Sequence, residues 1–398
     1  MRMKVITAAM LIGPGWALGS SKTWIGAIPD PSDAGRAVWD DSTANWSPGL
    51  FVNGDWENSL AGDDVVFTND PSAITNVHFA PIGVWPGSIR FVHVPGNPPR
   101  DYTFSADPIA GNGNGFAYGP STLTVEPGFA GTVRLNARAN ATSGDSTTSA
   151  VIRAGTLELG DAWALPGGTT VVGGNKRNTP NVTLDGGTLA INIHPGTSPL
   201  TNPSLTSTNL SGVLTVESAS HLRLVNADLA LTATSNTRIW NGPINIASDA
   251  TLVVESVHPN GGDGLPAGHQ ITLAANLSQS TGTLRFGSEG LRIRLDRSGT
   301  NPVLGGTSLV VDLGDVAGRL SNSLPNAFDQ VIHLGGLLGG PSARIEGSNT
   351  APVLGQSFQY TDTISIGARN SDSEFAGVIA DGTSANLPHI TAITKVGT

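Results

Sequence analysis

Short runs that alternate apolar and polar residues, each opened by a glycine corner, recur along the chain. The clearest is Gly155 to Gly174, GTLELGDAWALPGGTTVVGG. It reads glycine, threonine, an alternating strand, a polar turn, a Gly-Gly corner and a second short strand. Shorter copies open at Gly131 (GTVRL), Gly187 (GTLAI), Gly212 (GVLTV) and Gly282 (GTLRF), and looser ones at Ser121 (STLTV) and Ala250 (ATLVV). Period-two alternation sends one row of Val, Ile and Leu to a core and the intervening Thr, Ser or charged residues to water. The pattern predicts strands at Asp64–Thr68, Asn76–Phe79, Ser88–Val94, Thr132–Asn136, Thr156–Leu159, Thr169–Val172, Asn181–Leu184, Thr188–Ile193, Thr283–Phe286, Leu309–Leu313, Gln330–Leu334 and Thr361–Gly367, among others. Each ends in Gly, Asn, Asp or Pro, the residues that make turns. The copies return at intervals of roughly the low twenties to low thirties of residues, about one coil of a solenoid. The expected fold is all-β, a right-handed parallel β-helix with an atypical Trp-rich N-terminal cap. A propeller would show a more regular blade signature, and two sandwiches would need a linker that the chain lacks.

Three regions follow from the same reading. Residues 1–19 begin with the basic Arg2 and Lys4. Val5 to Leu18 is mostly apolar, though broken by Pro14 and Gly15, and the small Ala17 and Gly19 follow. This predicts a secretory signal peptide cut near Gly19–Ser20, and hence an extracellular or cell-surface protein. No later apolar run is long enough to span a bilayer. Residues 20–105 hold Trp24, Trp39, Trp46, Trp56 and Trp85, five of the eight tryptophans. One reading of these rings is the core of a cap over the open first coil. The other is a sugar-stacking platform, with Trp39, Trp46 and Trp56 as candidate glycan contacts. Residues 106–398 carry the repeats. Protruding loops are expected at 142–149 and 192–211.

Composition narrows the chemistry. Only 13% of the 398 residues are charged, and the net charge is −10, which disfavours nucleic acid as a partner. The densest basic stretch, Arg292, Arg294 and Arg297, reads as a solvated strand face. There are 51 glycines but no period of three, so collagen is excluded. The absence of cysteine removes disulfides, thiolate catalysis and Cys-ligated zinc. No G-x-S-x-G elbow occurs, and the histidines are scattered with none four residues from another. Asp312 with Asp315, Asp372 with Glu374, and Asp296 are carboxylates that a polysaccharide-cleaving β-helix would need to cluster; turn positions are their ordinary use. Asn260 to Gly264 (NGGDG) and Gly111 to Gly115 (GNGNG) read as turns, not as a calcium roll or a dinucleotide fingerprint. No catalytic residue, metal ligand or cofactor is expected.

Three stretches carry a family resemblance. The first is GTLELGDAWALPGGTTVVGG. The second is Thr361 to Thr398, TDTISIGARNSDSEFAGVIADGTSANLPHITAITKVGT. The third is TWIG at Thr23, with the Trp, Asp and Asn pattern through Trp56. Together they resemble the autotransporter-associated β-strand repeat proteins, exported bacterial proteins with passenger-like parallel β-helices. In that family the Thr-Lys-Val-Gly-Thr phrase usually runs into another GTL strand, so the repeat region is expected to be truncated after Thr398. The resemblance implies a non-enzymatic surface protein, a structural stalk or adhesin that meets extracellular glycans or other surface proteins. Two alternatives stay open: a polysaccharide lyase or glycoside hydrolase on the same scaffold, and a carbohydrate-binding module built on the N-terminal tryptophans.

Overall fold

A computed structural model describes residues 20–52, 62–79, 84–106, 122–136, 149–160, 164–165, 168–172, 175–192, 210, 212–225, 236–240, 242–257, 270–273, 276–288, 291–295, 304–322, 330–347, 361–370, 372–381 and 390–397. Among them all regular structure is strand, and there is no helix. The expected signal peptide, the loop at 142–148 and most of the loop at 192–211 lie outside the described residues.

Three long sheets carry the chain. A first sheet of nine strands runs from Ser21–Trp24 to Ile244–Ile246, a second of fourteen from Pro29–Asp30 to Ile390–Lys395, and a third of six from Asn236–Trp240 to Val378–Ala380. Successive strands of one sheet pair parallel and in register. Thr156 faces Thr188 and Leu159 faces Ile191, for example, in the second sheet. Each strand therefore needs the strand one repeat later to satisfy its backbone. The alternation of the GTL phrases makes this pairing productive. In the first sheet Val65, Ile89, Leu123, Ala150, Val182, Leu214 and Ile244 stand one above another, and all are buried. Beside them run Phe67, Phe91, Val125, Ile152, Leu184, Val216 and Ile246. In the second sheet Tyr102, Val133, Leu157, Leu189, Leu222, Val254 and Phe286 form a third buried row. Each such side chain contributes about 1.5–3 kcal/mol when taken from water. The rows merge into one apolar core.

The N-terminal end is closed differently. Trp46–Ser47 pairs antiparallel with Ser21–Trp24, and Pro29–Asp30 pairs antiparallel with Asp33–Trp39. These short strands end the first two sheets, so neither leaves a long parallel edge on that side. Asn45, fully buried, ties the closure together. Its amide nitrogen donates to the carbonyls of Ile28 and Val38, both at 3.1 Å, and its side-chain oxygen accepts from Ile28 N–H at 2.7 Å. The second sheet then runs without a break across the expected boundary at 105/106, where Tyr102–Ser105 pairs with Thr132–Leu135.

Midway the cross-section changes. The first sheet stops at Ile244–Ile246, and the turn 276–280 sits on its last strand. Ile244 N–H donates to Asn276 O at 3.1 Å and Thr281 N–H to Ile246 O at 2.8 Å. The buried Ser280 hydroxyl donates to Ile244 O at 2.7 Å and accepts from Ile246 N–H at 3.1 Å, standing in for a missing strand. Beyond this point, Leu304–Asp312 and Gln330–Leu338 are long strands whose mutual register shifts between Gly306 and Val310. Gly335 sits at that corner, where an added Cβ would lie 2.6 Å from the Ser308 carbonyl carbon.

One expectation changes. Thr169–Val172 is a strand, but it belongs to none of the long sheets. It pairs antiparallel with Asn175–Thr179 as a separate two-stranded sheet. The Gly173-Gly174 dipeptide between them is a hairpin signal, and a local antiparallel partner outcompetes a distant parallel one. Thus Thr156–Leu159 belongs to the stack, and the second half of the phrase forms a separate antiparallel pair.

The corner at Gly155 carries the sharpest local constraint. Its φ is +58°, and an added Cβ would meet the carbonyl oxygens of Gly131 and Phe129 at 2.6 Å. Gly155→Ala is expected to lower stability by about 2 kcal/mol or more, measured by urea unfolding.

Candidate functional site

The tryptophan-rich region is the first place where the sequence allowed chemistry. Alternation in Asp33–Trp39 points Ala37 and Trp39 inward, and the antiparallel Trp46–Ser47 brings Trp46 beside them. The ring centroids of Trp39 and Trp46 lie 5.1 Å apart at 61°, and those of Trp24 and Trp46 lie 4.9 Å apart at 71°. Phe51, Phe67, Phe79 and Phe104 pack around Trp39 at 5.5–6.3 Å. Trp39 is 0% exposed and Trp46 3% exposed. Neither indole offers a face to solvent, so the expected glycan contact through these two rings does not fit the folded chain. The reason is physical: edge-to-face packing of large rings fills the end of the core, and a sugar would have to displace that packing. Trp56, the third candidate, lies outside the described residues.

Of the carboxylates that are candidates for an enzyme, Asp315 packs against Gly340. Asp312 Oδ1 accepts the Gly314 N–H at 2.9 Å, closing a turn, and its Oδ2 faces Arg285 Nε at 3.5 Å. Asp372 lines a cavity of about 310 Å³ with Ser373, Lys395 and the apolar Leu337, Ile366, Phe375 and Ile393. Glu374 contributes its backbone carbonyl to Gly339 N–H at 3.2 Å. Asp296, Asn260 to Gly264 and Gly111 to Gly115 lie outside the described residues, as do His194, His258, His269 and His389. Among the described residues no group of three or more His, Asp or Glu is arranged to hold a metal ion.

Several ion pairs, most of them between neighbouring coils, form among the described residues. Glu126 takes Arg90 at 2.9 Å and Arg153 at 3.2 Å. Arg134 bridges Asp101 at 3.2 Å and Glu158 at 3.3 Å, and Glu158 also accepts from Asn192 at 2.9 Å. Glu255 takes Arg223 at 2.7 Å with His221 at 3.2 Å, and Glu346 takes Arg344 and Arg319. No protein-family model matches the chain, and no curated protein or solved structure is similar to it. The charge ladders pair charges locally and favour the strand register in which they form. The sequence alone does not show these partners; the pairing register identifies them.

The strongest electrostatic perturbation among the described carboxyls is also structural. Asp30 accepts the Ser32 hydroxyl at 2.7 Å and the Ser32 N–H at 2.8 Å, and pairs with Arg36 at 2.8 Å. These hydrogen bonds, the Ser32 hydroxyl foremost, hold its carboxyl down to about 2. Ser32 does the same work at the first turn that Ser72 does for Asp70, whose carboxyl is also lowered. A carboxyl with a depressed folded-state pKa adds stability above its unfolded value, about 3.9, and that share is lost as pH falls toward 2. Acid titration followed by near-ultraviolet circular dichroism is expected to show Asp30→Asn less stable than the parent at pH 6, with the difference closing by about pH 2. Trp39→Ala is expected to cost about 3–5 kcal/mol in urea unfolding, the signature of a core ring. A binding ring would instead tolerate truncation.

Proposed function

We propose that this chain is an exported, non-catalytic surface protein: a right-handed parallel β-helix that serves as a structural stalk or adhesive element. The observation that carries the reading is the continuous fourteen-stranded sheet, which runs from Pro29–Asp30 to Ile390–Lys395 with every neighbour from Asp33–Trp39 onward paired parallel. A stack of this kind gains length by adding coils of one core radius, which suits reach more than it suits a buried reaction centre. The strand and corner residues that repeat here also carry the resemblance to the autotransporter-associated β-strand repeat proteins. The basic, apolar and small-residue order of 1–19 supports export, and the resemblance supports a cell-surface or extracellular position. Contact with other surfaces falls to the outward rows, such as Thr122, Thr124, Thr183 and Thr215, and to the separate antiparallel pair of Gly168–Val172 and Asn175–Thr179.

At a strand spacing of about 4.8 Å, fourteen stacked strands give a rod about 60 Å long. Small-angle scattering of the mature protein is expected to return an elongated particle with at least that long dimension, and surface labelling of intact producing cells is expected to find the chain outside. A glycan-binding and polysaccharide-degradation screen on the same sample decides the rest. Binding without product fits the adhesive reading, no binding leaves the stalk, and release of shortened oligosaccharides overturns the non-catalytic proposal.

A further inference from the structure

Asp63 is 2% exposed, yet it sits at the start of the first sheet, next to the residue where export processing is expected. Its Oδ1 accepts the backbone N–H of Ser20 at 2.6 Å and the Ser20 hydroxyl at 2.9 Å. Its Oδ2 accepts the N–H of Val52 at 2.9 Å. Among the described residues the cation nearest to it is Lys22, whose Nζ is 3.9 Å from Oδ2. That ammonium makes its short contact elsewhere, donating to Pro48 O at 2.6 Å. The neighbouring Asp64 faces away, accepting the Ser88 hydroxyl at 2.7 Å. A carboxylate buried this deeply is costly without a cation in hydrogen-bond contact, and here the closest donor is a main-chain nitrogen.

We infer that Ser20 becomes the first residue of the mature protein, and that its new α-ammonium forms an ion pair with the buried Asp63 that locks the N-terminal cap. The inference rests on the export reading. Hydrolysis of the Gly19–Ser20 peptide bond consumes one water, leaves a carboxylate on Gly19 and an amine on Ser20, and the amine takes a proton at neutral pH. The nitrogen already lies at 2.6 Å from Oδ1, so cleavage turns a neutral amide donor into a cation without moving it. A charge-assisted contact of that length is about twice as strong as its neutral counterpart. The two ends of the lock are well placed to matter. Ser20 leads directly into Ser21–Trp24, which joins the antiparallel closure to the first parallel strand, Asp64–Thr68. Asp63 leads into that parallel strand and reaches across to Val52. Removal of the leader would then stabilise the folded chain, and the uncut precursor would stay looser at the end that must pass through the membrane first.

The sign of the pH effect is set by the amine. A partner carboxylate raises its folded-state pKa above the usual value of about 7.7–8.0. The stability it adds is fully present below about pH 8 and is lost as pH rises through the folded value. Two preparations test this. The full chain is exported from a bacterial host, and the N-terminal residue of the product is read by mass spectrometry; Ser20 is expected. Separately, a Ser20-start chain, which keeps every described strand, is released from a fusion that leaves no extra residue. It is compared with the same chain carrying one added glycine, which restores an amide at Ser20. At pH 7 the Ser20-start chain is expected to melt about 2 °C or more above the extended one, and the gap is expected to close by about pH 10. In Asp63→Asn the gap is expected to vanish at every pH. If that variant does not fold, the amine is titrated directly by its acylation rate in the Ser20-start chain, and a raised pKa supports the pair. Equal melting of the two chains at pH 7, or an ordinary amine pKa, overturns the ion pair whatever the export result. A product cut at another bond overturns the assignment of Ser20 while export stands. A product that keeps Met1 overturns both.

Discussion

Within the parallel stacks, each interior strand depends on the strands one coil before and one coil after it. A parallel strand presents N–H and C=O groups on both edges, and in this chain the partner that satisfies them comes from the next repeat, as with Ser149–Ile152 between Thr122–Val125 and Asn181–Leu184. That single requirement explains why alternation is kept so strictly while the connecting lengths are not. A residue lost inside Thr156–Leu159 would turn Leu157 and Leu159 outward and break their buried rows, whereas residues added between coils touch neither ladder. The charge ladders obey the same register. Arg134 can bridge Asp101 and Glu158 only because its strand lies between theirs, so the ion pairs reinforce an alignment that the apolar rows already favour.

Much of this architecture was legible in the residues. Asp64–Thr68, Asn76–Phe79, Thr156–Leu159, Asn181–Leu184 and Thr283–Phe286 appear with the bounds that alternation and corner glycines predict. What escaped was information held between distant segments. Ser149–Ile152 runs on directly from the polar tract 142–148, and Ser149 reads as part of that loop, which hides the start of the strand. Leu304–Asp312 was visible only from Leu309 onward, because Gly305 and Gly306 carry no side chains to show a pattern. Which sheet a strand would join depended on its partner, and the local hairpin of Thr169–Val172 shows how a near partner decides the matter.

The candidate site was less legible than the fold for the same reason. The tryptophans alone support both a cap and a binding platform, since indoles serve either purpose; Trp39 and Trp46 are buried in the core. In the sequence Asp63 is half of an Asp-Asp pair with Asp64 and carries no motif. Its significance comes from Ser20 and Val52, which no spacing rule connects to it.

The direction of the backbone hydrogen bonds has one more consequence. They point along the stack, from coil to coil, and not across it. A load applied along that direction would strain the bonds of one junction before the next, so the molecule would open as a zipper does, coil by coil. The end closed by antiparallel strands, interlocked indoles and Asn45 would resist longest, and a tether attached there would hold while the far coils gave way and lengthened the link.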